Sequence, residues 1–223
     1  MSKEAVIVST ARTPIGKAYR GAFNDTDAPT LGGHAIAAAV ERAGIDPGEV
    51  DDVVIGCAMQ QGSSGYNIGR TAGVAAGLPS SVAGMSMDRQ CASGMMAIAT
   101  AAKQVISDGM PIVVGGGLDS ISLVQNEHRN AYRAQDPNVI AKSEHAYMSM
   151  LETAEIVAKR YNVSRDQMDE YAFQSQQRTA AAQQAGAFDD EIVPMASKML
   201  FMDKETKQQS VHDTMLEKDE GNR

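Results

Sequence analysis

Residues 82–117, VAGMSMDRQCASGMMAIATAAKQVISDGMPIVVGGG, carry the pattern that decides the fold. Val82–Asp88 reads as a strand. From Cys91 the apolar spacing becomes helical, with Met95, Ile98, Ala99, Ala102, Val105 and Ile106 predicted on the packed face. Asp108-Gly109 ends that helix, and Pro111–Val114 is a further strand running into Gly115-Gly116-Gly117. The same alternation continues upstream. Asn67 to about Ala76 is a small-residue helix stopped by Gly77 and Pro79, and Asp52–Cys57 is an apolar strand. Thr30 is placed to cap a helix through Arg42, closed by Gly44, with Asp46-Pro47 opening a single turn. Ala5–Ser9 is expected to be a buried first strand. Strands alternating with helices predict an α/β domain with helices covering a sheet, and exclude all-β and pure bundle architectures.

Downstream the pattern loosens. Residues 118–150 are polar, turn-rich and too long for a simple connection, so an inserted surface excursion is expected. Glu152–Tyr161 forms one helix. A second runs from Ser164, with Gln167 spaced for a capping box, to Ala185 and Gly186. Phe188–Pro194 leads into an extended stretch, and the charged segment 203–223 is expected to be loose on its own.

Composition narrows the function classes. The chain has 223 residues, 43% hydrophobic and 22% charged, which suffices for a core without disulfides. The formal net charge of −8 argues against nucleic acid as the main partner, because phosphate binding needs clustered Lys and Arg. No apolar run approaches the ~18 residues of a membrane span. Met1–Ser9 lacks a basic and apolar leader pattern, so the chain is expected to be cytoplasmic, with Cys57 and Cys91 as reduced thiols.

Of the two thiols, Cys91 stands where an extended segment becomes a helix. A thiol at a helix N-terminus feels the positive end of the dipole and unpaired backbone N–H groups, a setting that makes nucleophiles. Ala92, Ser93 and Gly94 are small and leave a substrate room to approach. The competing reading is a buried packing cysteine, the commoner fate of a free thiol. Cys57 lies inside an apolar strand and is read as structural. His34, His128, His145 and His212 make no metal-ligand spacing with each other or with cysteine, so no metal is expected. The triple glycine at 115–117 lacks the dinucleotide and P-loop patterns, and is read as close backbone packing. Ser93 is not in a G-x-S-x-G elbow, which disfavours a serine hydrolase.

Several segments, in order, resemble the N-terminal half of the thiolases. VIVSTARTPIGK (6–17) is similar to the family's first strand and following loop. ERAGIDPGEVDDVVIG (41–56) is similar to its first helix end and second strand, and Asn67 with Arg70 to its N-x-x-R helix. MDRQCASGMMAIATAAKQVISDG (87–109) followed by VVGGGLDSIS (113–122) resembles the nucleophile region and the G-G-x-[ED]-S turn after the next strand. Residues 150–194, MLETAEIVAKRYNVSRDQMDEYAFQSQQRTAAAQQAGAFDDEIVP, resemble the helical start of the loop domain. The resemblance covers almost all of residues 4–194.

The resemblance implies a layered α/β sandwich half-domain over 1–120, the start of a mostly helical loop domain over 121–202, and a charged segment 203–223. It implies acyl transfer between thioesters, forming or cleaving a 3-oxoacyl-CoA, with Cys91 carrying the acyl group. Met150 and Ser149 fall where the family lines its pantetheine and acyl pocket. Ala92 stands where Gly is usual and Leu151 where Gly often follows the pocket Met, departures that bear on substrate range. CoA is implied as a substrate, with no metal or prosthetic group, in a homodimer or homotetramer. The family's G-H-P histidine, its Asn and its C-x-G second cysteine are absent from 1–223, so a fragment missing its C-terminal half is expected. Two alternatives remain open: a condensing enzyme loaded by acyl-carrier protein, and a non-catalytic half that binds acyl-CoA or assembles with a partner.

Overall fold

The computed structural model describes residues 4–222; residues 1–3, part of the stretch read for a leader, and residue 223 lie outside the described residues. The chain forms two units, described separately: residues 1–129 with 189–221, and residues 130–188 with 222–223.

The first unit is built on a parallel three-stranded sheet. Its strands are β1 (Asp52–Gly56), β2 (Ala83–Met87) and β3 (Val113–Gly117), in the order β2-β1-β3. All five residues of the central strand are buried, which is what parallel strands covered on both faces require. The pleat sends Val53 and Ile55 to one face, where they pack with Ile36, Val40, Ile68 and Ala72. These come from helices α1 (Ala28–Ala43) and α2 (Ile68–Ala75). Val54 points to the other face, against Ala97 and Ala101 of α3 (Ser93–Lys103). The result is a helix–sheet–helix layering, as the alternation of strands and helices predicts.

Helix ends follow local chemistry. Gly44 closes α1 at φ 67°, and Asn67 caps α2, its side-chain oxygen accepting from the Arg70 N–H at 3.3 Å. The start of α1 corrects one expectation: Thr30 is not the cap, because the helix begins at Ala28 with Pro29 in its first turn. The Ala28 N–H instead donates to Ser63 Oγ, whose hydroxyl donates to Asp27.

A second correction concerns α3. Its buried residues are Ser93, Ala97 and Ala101, followed by Gln104 in the next turn, while Met95 and Ile98 are exposed. The predicted large apolar face points outward. The reason is steric: a Cβ on Gly115 would lie 3.0 Å from both Ala101 Cβ and Ile98 Cα. Only a small-residue face can come this close to a glycine-rich strand, and this supports the reading of Gly115–Gly117 as packing residues.

Two further corrections lie near the edges of this unit. Ala5–Ser9 forms no strand, and Val6, Ile7 and Val8 are 75–77% exposed. Among the described residues no strand lies beside this run, so its apolar side chains have no ladder to carry them inward. The charged stretch is not loose over its described residues, 203–222. It contains β5 (Gln209–Leu216), paired antiparallel with β4 (Met195–Met202). Met195 and Leu216 pack with Ala22 and Phe23. Beyond β5, Asp219 receives two hydrogen bonds from the Arg12 guanidinium at 2.7 and 3.0 Å.

The second unit holds α5 (Pro137–Lys142), α6 (Met150–Arg160) and α7 (Arg165–Gln184), after α4 (Ile121–Val124) of the first unit. None of α5, α6 and α7 contains a buried residue. Ser164 and Gln167 form the predicted capping box of α7.

Candidate active site

The approach to Cys91 is a tight turn that the sequence encodes locally. Gln90 takes φ 48°, and its N–H donates to Asp88 Oδ1 at 2.7 Å. Ser93 Oγ accepts from the Arg89 N–H at 2.8 Å and donates to the Gln90 carbonyl at 2.6 Å. These bonds fold residues 88–93 back on themselves, so that Cys91 is exposed two residues before α3 begins. No side chain caps that helix end. Cys91 therefore faces solvent beside the N-terminal end of α3.

The floor beneath it is backbone. A Cβ on Gly56, at the end of β1, would collide with the Ser93 carbonyl and the Gly94 nitrogen. One on Gly117, at the end of β3, would lie 2.7 Å from Gly94 Cα. Glycine at both strand ends thus seats the first turn of α3 directly on the C-terminal edge of the sheet. A cavity of about 340 Å³ opens there, lined in part by Gly56, Cys91, Ser93, Gly94, Gly117 and Asp119. Ligand sites of open α/β sheets characteristically lie outside the carboxyl ends of the strands.

Asp119 is a cavity residue to which the sequence reading assigned no role, although its signal, the G-G-x-[ED]-S turn, was visible. Its Oδ1 accepts from the N–H groups of Ala58 and Met59, each at 3.1 Å, and from the Cys57 thiol at 3.3 Å. Burial, reinforced by the neighbouring carboxylate, pushes the Cys57 thiol up to about 11, so at neutral pH it is a protonated donor. The two cysteines are thereby separated: Cys57 is buried, Cys91 exposed.

Asn67 and Arg70 support the strands. The Asn67 amide donates to the Gly84 carbonyl at 2.7 Å, and the Arg70 guanidinium to the carbonyls of Val82 and Ser80. None of the four histidines lines the cavity. His34 meets the Pro194 carbonyl, and His212 pairs with Ser210 and stacks edge-on with Phe201. Among the described residues no group of three or more His, Cys, Asp or Glu could hold a metal ion, and no helix is long and apolar enough to cross a membrane.

Ser149 and Met150 belong to the second unit. Ser149 is the N-cap of α6: its hydroxyl accepts from the Glu152 N–H at 3.2 Å and donates to the Glu152 carboxylate at 3.0 Å. The Ser149 N–H, which donates to the same carboxylate at 3.1 Å, and after it the hydroxyl hold the Glu152 carboxyl below its ordinary value. Met150 opens the helix with 72% of its surface exposed.

The profile described as "Thiolase, N-terminal domain" matches residues 5–220. The 3-ketoacyl-CoA thiolase of Bacillus subtilis (strain 168) is 40% identical over 195 residues, covering 86% of this chain and 49% of the relative. The acetyl-CoA acetyltransferase of Cupriavidus necator is 38% identical over 202 residues, covering 86% of this chain and 51% of the relative. The crystal structure of the Bacillus anthracis acetyl-CoA acetyltransferase superposes with a TM-score of 0.76 at 34% identity, over 99% of this chain and 55% of that one. The chain thus spans about half the length of the curated relatives it matches. The glycine-floored turn that presents Cys91 lies inside the matched stretch, and this chain belongs to the thiolase family as its N-terminal domain.

Proposed function

We propose that this domain supplies the acyl-carrying nucleophile of an acyl-CoA C-acyltransferase. Cys91 Sγ attacks the carbonyl carbon of a CoA thioester, the carbon–sulfur bond to CoA breaks, and CoA leaves as its thiol with the proton given up by Cys91. In the synthetic direction the enolate carbon of a second acetyl-CoA then attacks the acyl-cysteine and releases Cys91, forming a 3-oxoacyl-CoA; thiolysis is the reverse. The proton acceptors for the thiol and for that carbon lie outside residues 1–223 on this reading. A covalent intermediate entails ping-pong kinetics.

The observation that carries the proposal is Cys91 exposed at the entrance of α3, over a cavity whose floor is glycine backbone. The small residues 92–94 and the glycine strand ends let a thioester approach the sulfur without a side chain in the way. On the family resemblance we assign Met150 and Ser149 to holding the pantetheine and acyl parts of the substrate. Ser149 acts through the cap it places on α6, and Met150 through its exposed side chain. The boundary near 120 divides the α/β core from the loop-domain start on this view, and the working protein is a cytoplasmic homodimer or homotetramer using CoA thioesters.

The test is the intact mass of the complete protein, measured under denaturing conditions after incubation with acetyl-CoA. An acetyl adduct mapped to Cys91 and missing from Cys91→Ala is expected. A protein that stays unmodified while its Cys91 still reacts with iodoacetamide overturns the proposal.

A further inference from the structure

The C-terminal ends of β1 and β3 are joined by more than the ladder between them. The Leu118 N–H donates to the Gly56 carbonyl at 3.0 Å, and one step further Asp119 gathers the donors of residues 57–59 onto its carboxylate. The gap held in this way is the gap into which the first turn of α3 is seated, with Gly94 against Gly117 and Ser93 against Gly56. That turn has no side-chain cap of its own, so its position depends on the two strand ends beneath it.

The geometry points to Asp119 as a positioning residue for Cys91. It clips the loop after β1 to the turn after β3, and this sets the height and direction at which the α3 turn presents the thiol. The far end of the same strand pair carries a comparable bond. Asp51 Oδ2 accepts from the Ile112 N–H at 3.1 Å, beside the start of β3 and away from Cys91. The molecule therefore contains its own control, a carboxylate that ties the same two strands without touching the α3 turn.

The catalytic half of the test rests on the acyl-transfer reading; the alkylation half does not. In the complete protein, the rate of Cys91 alkylation by iodoacetamide is followed across pH 6–10, together with kcat and KM for thiolysis of acetoacetyl-CoA. Asp119→Ala is expected to slow both alkylation and kcat by about 10- to 100-fold, with KM within about threefold, the scale of a misplaced reacting group. Asp119→Asn keeps an oxygen where Oδ1 accepts its bonds and restores most of the rate. Asp51→Ala leaves rates and pH profile as in the parent. Should Asp119→Ala not fold, Asp119→Ser, with a single oxygen on a shorter arm, is read in its place with the same outcomes. Alkylation and kcat within twofold of the parent in folded Asp119→Ala, or in Asp119→Ser where it is read instead, or an equal loss in Asp51→Ala, overturn the inference. If the parent takes no acyl group but Asp119→Ala still slows alkylation, the positioning role stands and the acyl-transfer reading falls.

Discussion

The two units of this chain are stabilised in different ways. In the first, every residue of β1 is buried and the helices press on the sheet through glycine and alanine. In the second, α5, α6 and α7 contain no fully buried residue; α5 starts at an Asp136 cap, α6 and α7 at capping boxes, and Arg165 pairs with Asp169 one turn along. Close packing tolerates no added atom, whereas a solvated helix tolerates almost any. The difference teaches where this molecule is brittle: at the strand ends that carry the candidate site.

Substitutions at the strand ends strain that contrast most. Gly56→Ala places a methyl group in the backbone of Ser93 and Gly94, and is expected to cost at least about 3 kcal/mol or to prevent folding, as read by urea unfolding. A loss below about 1 kcal/mol means that the α3 turn is free to lift away. Val53→Ala, at a fully buried core position, comes next at about 2 kcal/mol by the same assay.

In the second unit, Ser164→Ala removes the α7 cap and is expected to cost about 1 kcal/mol of local stability, seen as faster amide exchange over the first turn. Tyr171→Ala, at a position 71% exposed, should change stability by less than about 0.5 kcal/mol. A larger loss there means that something covers this helix in the complete protein.

A pH titration sharpens the comparison from the first unit's side. The Arg12 guanidinium holds the Asp219 carboxyl below its ordinary value. Its contribution is in place above the unfolded carboxylate pKa of about 3.9, and is lost as pH falls through the lower folded value. Amide exchange of the β4–β5 hairpin should rise over that interval, and Asp219→Asn should flatten the rise.

Much of the architecture was legible because it is written in short-range chemistry. The capping box of α7, the left-handed glycine closing α1, and the change from extended to helical pattern around Cys91 are each set within a few residues. The errors fell where a partner distant in sequence decides. Periodicity alone put Met95 and Ile98 on the packed face of α3, but the glycines of β3 admit only the Ala97 and Ala101 side. The Ala5–Ser9 run has the composition of a strand but lacks, among the described residues, a neighbour to pair with. Residues 203–223 look like a solvated tail, but 209–216 pair with β4 in a hairpin, and Arg12, far back in the chain, meets Asp219.

The candidate site divides in the same way. The residues that shape the turn before Cys91, Asp88, Gln90 and Ser93, are local, so the sequence by itself determined that a thiol would stand at the mouth of a helix. That the floor below is the backbone of Gly56 and Gly117, and that Asp119 ties together segments some sixty residues apart, was decided only by the tertiary structure. Hydrophobic period and capping record which conformation a segment prefers. The distance between two strand ends is set by atoms that meet only after the chain has folded, and it leaves no mark on either segment alone.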